Sequence, residues 1–187
     1  GGEDFVHLGA RRAELAQQFH YEIHVRIGIN TGLVTAGNMG SEKRFQYTVL
    51  GDAVNQAFRN EDICRFFRVS AIIGENTYQE AREAIEVRRL GWVTLKGKSQ
   101  PVTVYELLGR RGELAESVRR KNQAYEEAYD LFREQELTRA RDRLSAALEI
   151  APEDGPSLLL LRRIEAITKH PAAFTYIFDT SQYSHRS

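Results

Sequence analysis

The sequence predicts an α+β fold with a largely antiparallel sheet, followed by an α-helical hairpin and tail. Three observations predict it. Up to residue 108, apolar runs of period two intermix with amphipathic stretches through short connections, a pattern of mixed strands and helices. The period-two runs are rich in Val, Ile, Phe and Tyr, which favour strands. Beyond Gly109-Arg110-Arg111-Gly112 the spacing is helical throughout. A boundary there divides the chain into residues 1–110 and 111–187.

Residues 3–19 carry Phe5, Leu8, Ala13, Leu15, Ala16 and Phe19 at helical spacing behind Glu3 and Asp4, giving one amphipathic helix. Residues 22–29 alternate. They read as a strand with Ile23, Val25, Ile27 and Ile29 on one face and His24 on the polar face. Thr31-Gly32 turns the chain, residues 33–37 resume as a strand, and residues 41–44 form a polar hairpin tip. In residues 45–50, Phe45, Tyr47 and Val49 share one strand face, and Gln46, Thr48 and Leu50 the other. Gly51 ends that strand. Asp52 caps a helix running to Phe67, with Ala57, Ile63, Phe66 and Phe67 inward and Cys64 beside them as a small hydrophobe. Residues 69–73 form a short strand, and Asn76-Thr77 caps a helix over 78–84. Residues 85–90 and 92–96 are two strands broken at Gly91. Residues 97–101 turn, and 102–108 close the sheet.

The second unit reads as helices over 114–135, 137–150 and 157–169, with Leu144, Ala147 and Leu148 inside the second. Ala128, Ala140, Ala147 and Pro152 resemble the tetratricopeptide pattern. One repeat and a half cannot bury its own face, so it is expected to pack on the first unit or on a partner protein. Phe174, Tyr176, Ile177 and Phe178 make the tail too apolar to float in water, whereas 184–187 are expected to fray.

Composition excludes several function classes. The 26 basic and 26 acidic residues cancel, so no global basic field argues for nucleic acid. Hydrophobic residues at 42% suffice for a folded core. Cys64 is the single cysteine, which precludes an intrachain disulfide and suits a reducing compartment such as the cytoplasm. No run is long enough to span a bilayer. The start at Gly1-Gly2 leads to the expectation of a piece of a longer chain, whose missing part has room for a membrane anchor. No Gly-rich phosphate loop, zinc-type His/Cys cluster or nucleophile triad stands out.

The chemistry concentrates in one corner. Asn55 and Arg59 stand four apart, on one face of a helix that follows a strand and a Gly51 turn. An amide and a guanidinium so placed both donate to an oxyanion or phosphate. The stretch Tyr47-Thr48-Val49-Leu50-Gly51-Asp52-Ala53-Val54-Asn55-Gln56-Ala57-Phe58-Arg59 resembles the signature of the class III adenylate/guanylate cyclases. Residues 26–41, from Arg26 through Gly28, Asn30 and Gly32 to Ser41, resemble the strand pair before it. Gly91-Trp92-Val93-Thr94-Leu95-Lys96-Gly97-Lys98 and Pro101-Val102-Thr103-Val104-Tyr105-Glu106-Leu107 resemble the closing strands. The resemblance spans residues 4–108 and covers the C-terminal part of the family's catalytic domain.

The resemblance implies a ferredoxin-like sheet and the cyclisation of ATP to cyclic AMP and pyrophosphate. It implies that Arg59 meets charge developing on the α-phosphate, that Asn55 orients the ribose and that Lys96 neutralises the β- and γ-phosphates. Thr48 then lies at the adenine edge, where many relatives carry Asp. Thr there resembles the bicarbonate-responsive adenylate cyclases. Mg²⁺ or Mn²⁺ is implied as cofactor, and a homodimer as the assembly, with the metal half of each site on the opposite protomer. The family's two metal-binding aspartates belong upstream of this sequence, as does its adenine-selecting lysine. Asp4 reads as a helix cap and Asp52 as a turn residue. The chain is therefore expected to be catalytically incomplete by itself. The alternative reading is a non-catalytic cyclase-like module that binds nucleotide or a partner protein. Asn60 departs from the family pattern, which has Leu there.

Overall fold

The computed structural model describes residues 25–41, 44–95 and 100–180. In chain order the elements are β1 (Ile27–Ile29), β2 (Thr35–Ser41), β3 (Arg44–Leu50), α1 (Asp52–Phe67), β4 (Ala71–Gly74), α2 (Glu75–Ala81), β5 (Ile85–Thr94) and β6 (Val102–Arg110). Then follow α3 (Glu116–Arg133), α4 (Leu137–Ile150), α5 (Gly155–Lys169), a 3₁₀ turn at Pro171–Ala173 and β7 (Phe178–Asp179). The architecture is mixed α+β, as the sequence predicts.

Five strands form a sheet in the order β1-β4-β6-β5-β7. Its inner pairings, β4 with β6 and β6 with β5, are antiparallel. Its flanking pairings, β1 with β4 and β5 with β7, are parallel. Parallel neighbours need a long crossover. Between β1 and β4 it comprises α1 and a separate two-stranded hairpin, in which β2 pairs antiparallel with β3 from Thr35–Leu50 to Ser41–Arg44. All four residues of β4 are buried, as befits a strand paired on both edges beneath a helix.

One core runs from the sheet into the helices. It joins Ile63, Cys64 and Phe67 of α1, Leu90 and Val93 of β5, Tyr125, Tyr129 and Phe132 of α3, Leu144 of α4 and Leu160 of α5. The aromatic tail completes it. Phe178 is fully buried, with ring centroids 5.1 Å from Phe67 and 5.9 Å from Tyr129. Phe174 packs on Phe132 at 5.4 Å. Tyr125 donates to the Leu90 carbonyl at 2.7 Å, and Tyr129 to the Tyr176 carbonyl at 2.8 Å. The large rings are thus buried with their hydroxyls satisfied.

Several boundaries differ from the sequence reading. Asp52 does not cap α1. Gly51 holds the N-cap position, and Asp52 is the first helical residue. Likewise Gly74, not Asn76-Thr77, precedes α2. Gly91 does not break the strand. β5 continues through it with a register shift between Arg89 and Gly91, and Gly91 takes φ +124, so that a Cβ there would lie 2.4 Å from the Tyr129 ring. Leu33 and Val34 lie in a loop before β2 rather than in the strand. The predicted helix over 3–19, His24, residues 42–43 of the tip, Lys96 with residues 97–99 of the turn after it, and residues 181–187 lie outside the described residues.

Candidate functional site

β3 and α1 build the corner that carries three of the four predicted site residues. Thr48 sits in β3 opposite Gly37 and is half-buried. The strand ends at Leu50, and the backbone N–H groups of Val54 and Asn55 donate to the Gly51 carbonyl at 3.2 and 3.3 Å to open α1. Asn55 is exposed in the first turns of α1, and Arg59 follows one turn later, half-buried. Lys96, the fourth, falls outside the described residues.

Arg59 is the distinctive member of the corner. Its Nη1 is buried and has no hydrogen-bond partner among the described residues. A buried donor left unmade costs ~1–3 kcal/mol, more when charged, and a guanidinium is satisfied best by a carboxylate or phosphate oxygen. An anion brought to that nitrogen would break no existing hydrogen bond, although the atom lies beneath the surface of the corner.

In the sequence, Asn60 stands out only as a departure from the family pattern. Asn60 is fully buried. Its Nδ2 donates to the Ile29 carbonyl at 2.8 Å and its Oδ1 accepts from Gln56 at 3.1 Å. Asn30 donates to the Ala53 carbonyl at 3.3 Å. These amides tie α1 to the end of β1. A polar residue at an inward helical position was the available signal, since a buried amide must find partners.

A cleft of about 280 Å³ opens beside this amide ladder, lined by Asn30, Asp52, Gln56, Glu75, Asn76 and Thr103 among others. Thr48, Asn55 and Arg59 do not line it. Glu75 accepts from the Tyr105 hydroxyl at 2.8 Å. Burial, and then that carboxylate, push the phenol well above its ordinary pKa. Among the described residues, no group of three or more His, Cys, Asp or Glu side chains is placed to hold a metal ion.

Around the same corner the surface is apolar. Leu33 is 98%, Tyr47 70% and Phe58 62% exposed, and Val34, Val49 and Leu50 are exposed as well. Among the described residues no helix is long and apolar enough to cross a membrane.

Comparison with known proteins gives the family of the chain. Residues 7–109 match the adenylate and guanylate cyclase catalytic domain. The terminal-differentiation specific adenylate cyclase of Dictyostelium discoideum is 32% identical over 145 residues, 75% of this chain and 7% of that protein. Adenylate cyclase 1 of Rhizobium meliloti is 33% identical over 88 residues, 47% of this chain and 13% of that protein. The crystal structure of the adenylyl cyclase CyaB from P. aeruginosa aligns with a TM-score of 0.49 and 32% identity, covering 58% of this chain and 55% of that one. The chain thus spans a small part of the length of these curated relatives. With the family match covering residues 7–109, more than half of the 187 residues, this chain belongs to the adenylate and guanylate cyclase catalytic domain family.

Proposed function

We propose that the chain is the C-terminal part of the catalytic domain of an adenylate cyclase, which converts ATP to cyclic AMP and pyrophosphate. One observation carries the reading: the strand-turn-helix that matches the cyclase signature holds a half-buried arginine with an unpartnered buried nitrogen. Cyclisation makes the ribose 3′-oxygen attack the α-phosphorus while pyrophosphate leaves. Negative charge therefore grows on the phosphoryl oxygens and on the leaving group. Arg59 meets that charge as a fixed donor, which costs no reorganisation at the moment of reaction. Asn55, one turn earlier, holds the ribose. Thr48 meets the purine edge, where a hydroxyl both donates and accepts. Lys96 neutralises the β- and γ-phosphates.

When bound, Mg²⁺ or Mn²⁺ supplies activation of the 3′-hydroxyl and binding of the triphosphate. The resemblance puts the metal aspartates upstream of this sequence. The 187-residue polypeptide by itself is thus proposed to be inactive, acting within a longer protein. The exposed apolar surface around Leu33, Tyr47 and Phe58 supports a homodimer in which that surface is covered.

The test is ATP cyclisation by the full-length protein beside an Arg59→Ala variant. Loss of at least a hundredfold in kcat is expected, since one such donor is worth ~10²–10³, and equal rates would dismiss the reading. GTP in the same assay separates adenylate from guanylate activity. Metal-dependent cyclic AMP production by the isolated 187-residue chain would refute its incompleteness. Nucleotide binding without turnover by the full-length protein would favour the non-catalytic module.

A further inference from the structure

The helix that carries Asn55 and Arg59 is seated by direct backbone contact at two glycines, one against the turn that holds Arg59 and one against the helix end. Against its middle lies Gly28 of β1, where an added Cβ would fall 2.0 Å from the Ala57 carbonyl and 2.4 Å from the Glu61 nitrogen. Against its end lies Gly155, the first residue of α5. A Cβ there would fall 2.3 Å from the Phe67 carbonyl and 2.7 Å from the Arg68 Cβ. The backbone of α1 lies directly against both glycines, so a shift of α1 toward either one meets β1 or α5.

The start of α5 is itself locked. Asp154 caps α5 by accepting from the Ser157 nitrogen at 3.1 Å. The same carboxylate accepts from Arg88 of β5 at 2.8 Å and from Lys121 of α3 at 2.8 Å. Arg88 is 1% exposed and also bonds Glu106 of β6, its Nε at 2.8 Å. One buried ion cluster thus ties α5, α3 and the sheet at the point that props α1. Phe66 and Phe67, at the end of α1, stack edge-on with Phe178 at 5.9 and 5.1 Å. The Dictyostelium adenylate cyclase aligns over 75% of this chain. That is more than the 109 residues leading to the end of the family match, so the similarity continues into the helices.

We propose that the helical extension is a positioning element for the reaction: Asp154 and Gly155 fix the seat of α1 and, through this rigid helix, the placement of Asn55 and Arg59. The inference rests on the cyclase reading. Neither residue touches substrate. Both act through α1.

A mutant cycle in the full-length protein tests it, combined with amide hydrogen exchange. Gly155→Ala is expected to lower kcat by roughly ten- to a hundredfold, the scale on which small displacements act. In a background carrying both Asn55→Ala and Arg59→Ala the same substitution is expected to cost under about twofold, because the two groups through which it acts are already gone. A merely structural defect would instead multiply with the loss at Asn55 and Arg59. Exchange across residues 52–67 is expected to quicken in Gly155→Ala. If Gly155→Ala does not fold, Asp154→Asn is read in the same way, since it keeps a capping oxygen but loses the charge facing Arg88 and Lys121. Multiplying losses, unchanged exchange or an unchanged kcat overturns the proposal. Should Arg59→Ala alone leave the rate intact, the cyclase reading falls, and the exchange data alone decide whether α5 seats α1.

Discussion

Arg59 and Cys64 lie five residues apart on one helix and have opposite fates. Arg59 keeps a buried nitrogen unpartnered, a cost that folding alone gives no reason to retain. Its guanidinium is expected to resist replacement by Lys, because an ammonium cannot present a planar fork to phosphate. Arg59→Lys should therefore retain folding, by circular dichroism, yet recover little of the kcat lost in Arg59→Ala. Wild-type rates in Arg59→Lys would show that charge alone suffices. Cys64, by contrast, is fully buried and donates to the Ile27 carbonyl at 3.5 Å. Burial pushes its thiol up to about 12, so thiolate is scarce at any physiological pH. A disulfide-exchange reagent at mildly alkaline pH should leave Cys64 unlabelled in the folded chain and label it fully in denaturant. Rapid labelling of the native protein would contradict the packed, inert role.

At the scale of elements, the buried ion cluster makes a pH prediction. Burial, the largest single influence, would raise the Asp154 carboxyl, but the Arg88 charge and the hydrogen bonds from Arg88, Lys121 and Ser157 together outweigh it and hold the group well below its ordinary 3.8. A depressed carboxylate contributes stability that is present above the unfolded value and is lost as pH falls. Urea melts should thus show stability dropping below about pH 4, and Asp154→Asn should flatten that drop. The same variant should cost about 3 kcal/mol at neutral pH, as breaking a buried pair does. An acid limb as steep in Asp154→Asn as in the wild type would remove Asp154 from this role. Elements with clear punctuation were legible in the sequence. α4 runs over the predicted 137–150, where helical spacing meets a proline two residues beyond its end. The helix starts were not. Asp52 and Asn76 looked like caps, but Gly51 and Gly74 take the N-cap positions and leave acidic residues to open the helices. Nor was the continuity of β5, because Gly91 makes room for a Tyr129 ring from 38 residues away. Of the candidate site, the spacing of Asn55 and Arg59 was legible. The orphaned nitrogen and the Asn60 tether were not, since both depend on what the fold stacks against α1.

For the whole molecule, the boundary read at 109–112 is a change of secondary structure rather than a gap in the core. Tyr125, Tyr129, Phe132 and Phe178 bury against α1 and β5, all within one hydrophobic cluster. Apolar burial on that scale couples the two halves more strongly than a surface contact would. Phe178→Ala removes the ring on which Phe66, Phe67 and Tyr129 converge. It should cost about 3–5 kcal/mol by chemical denaturation, as emptying a buried aromatic site does. A shared core also predicts a single transition. Trp92, the only tryptophan, lies in β5 and donates its backbone N–H to Tyr129 at 2.9 Å, so its fluorescence reports where sheet and helices meet. Far-ultraviolet circular dichroism reports chiefly the helices, α3 to α5 among them. Denaturant curves from the two signals should superimpose. A separate, earlier loss of helix with Trp92 fluorescence intact would mean that the extension unfolds as its own unit. The core spanning both halves would then contribute little to holding α1 in place.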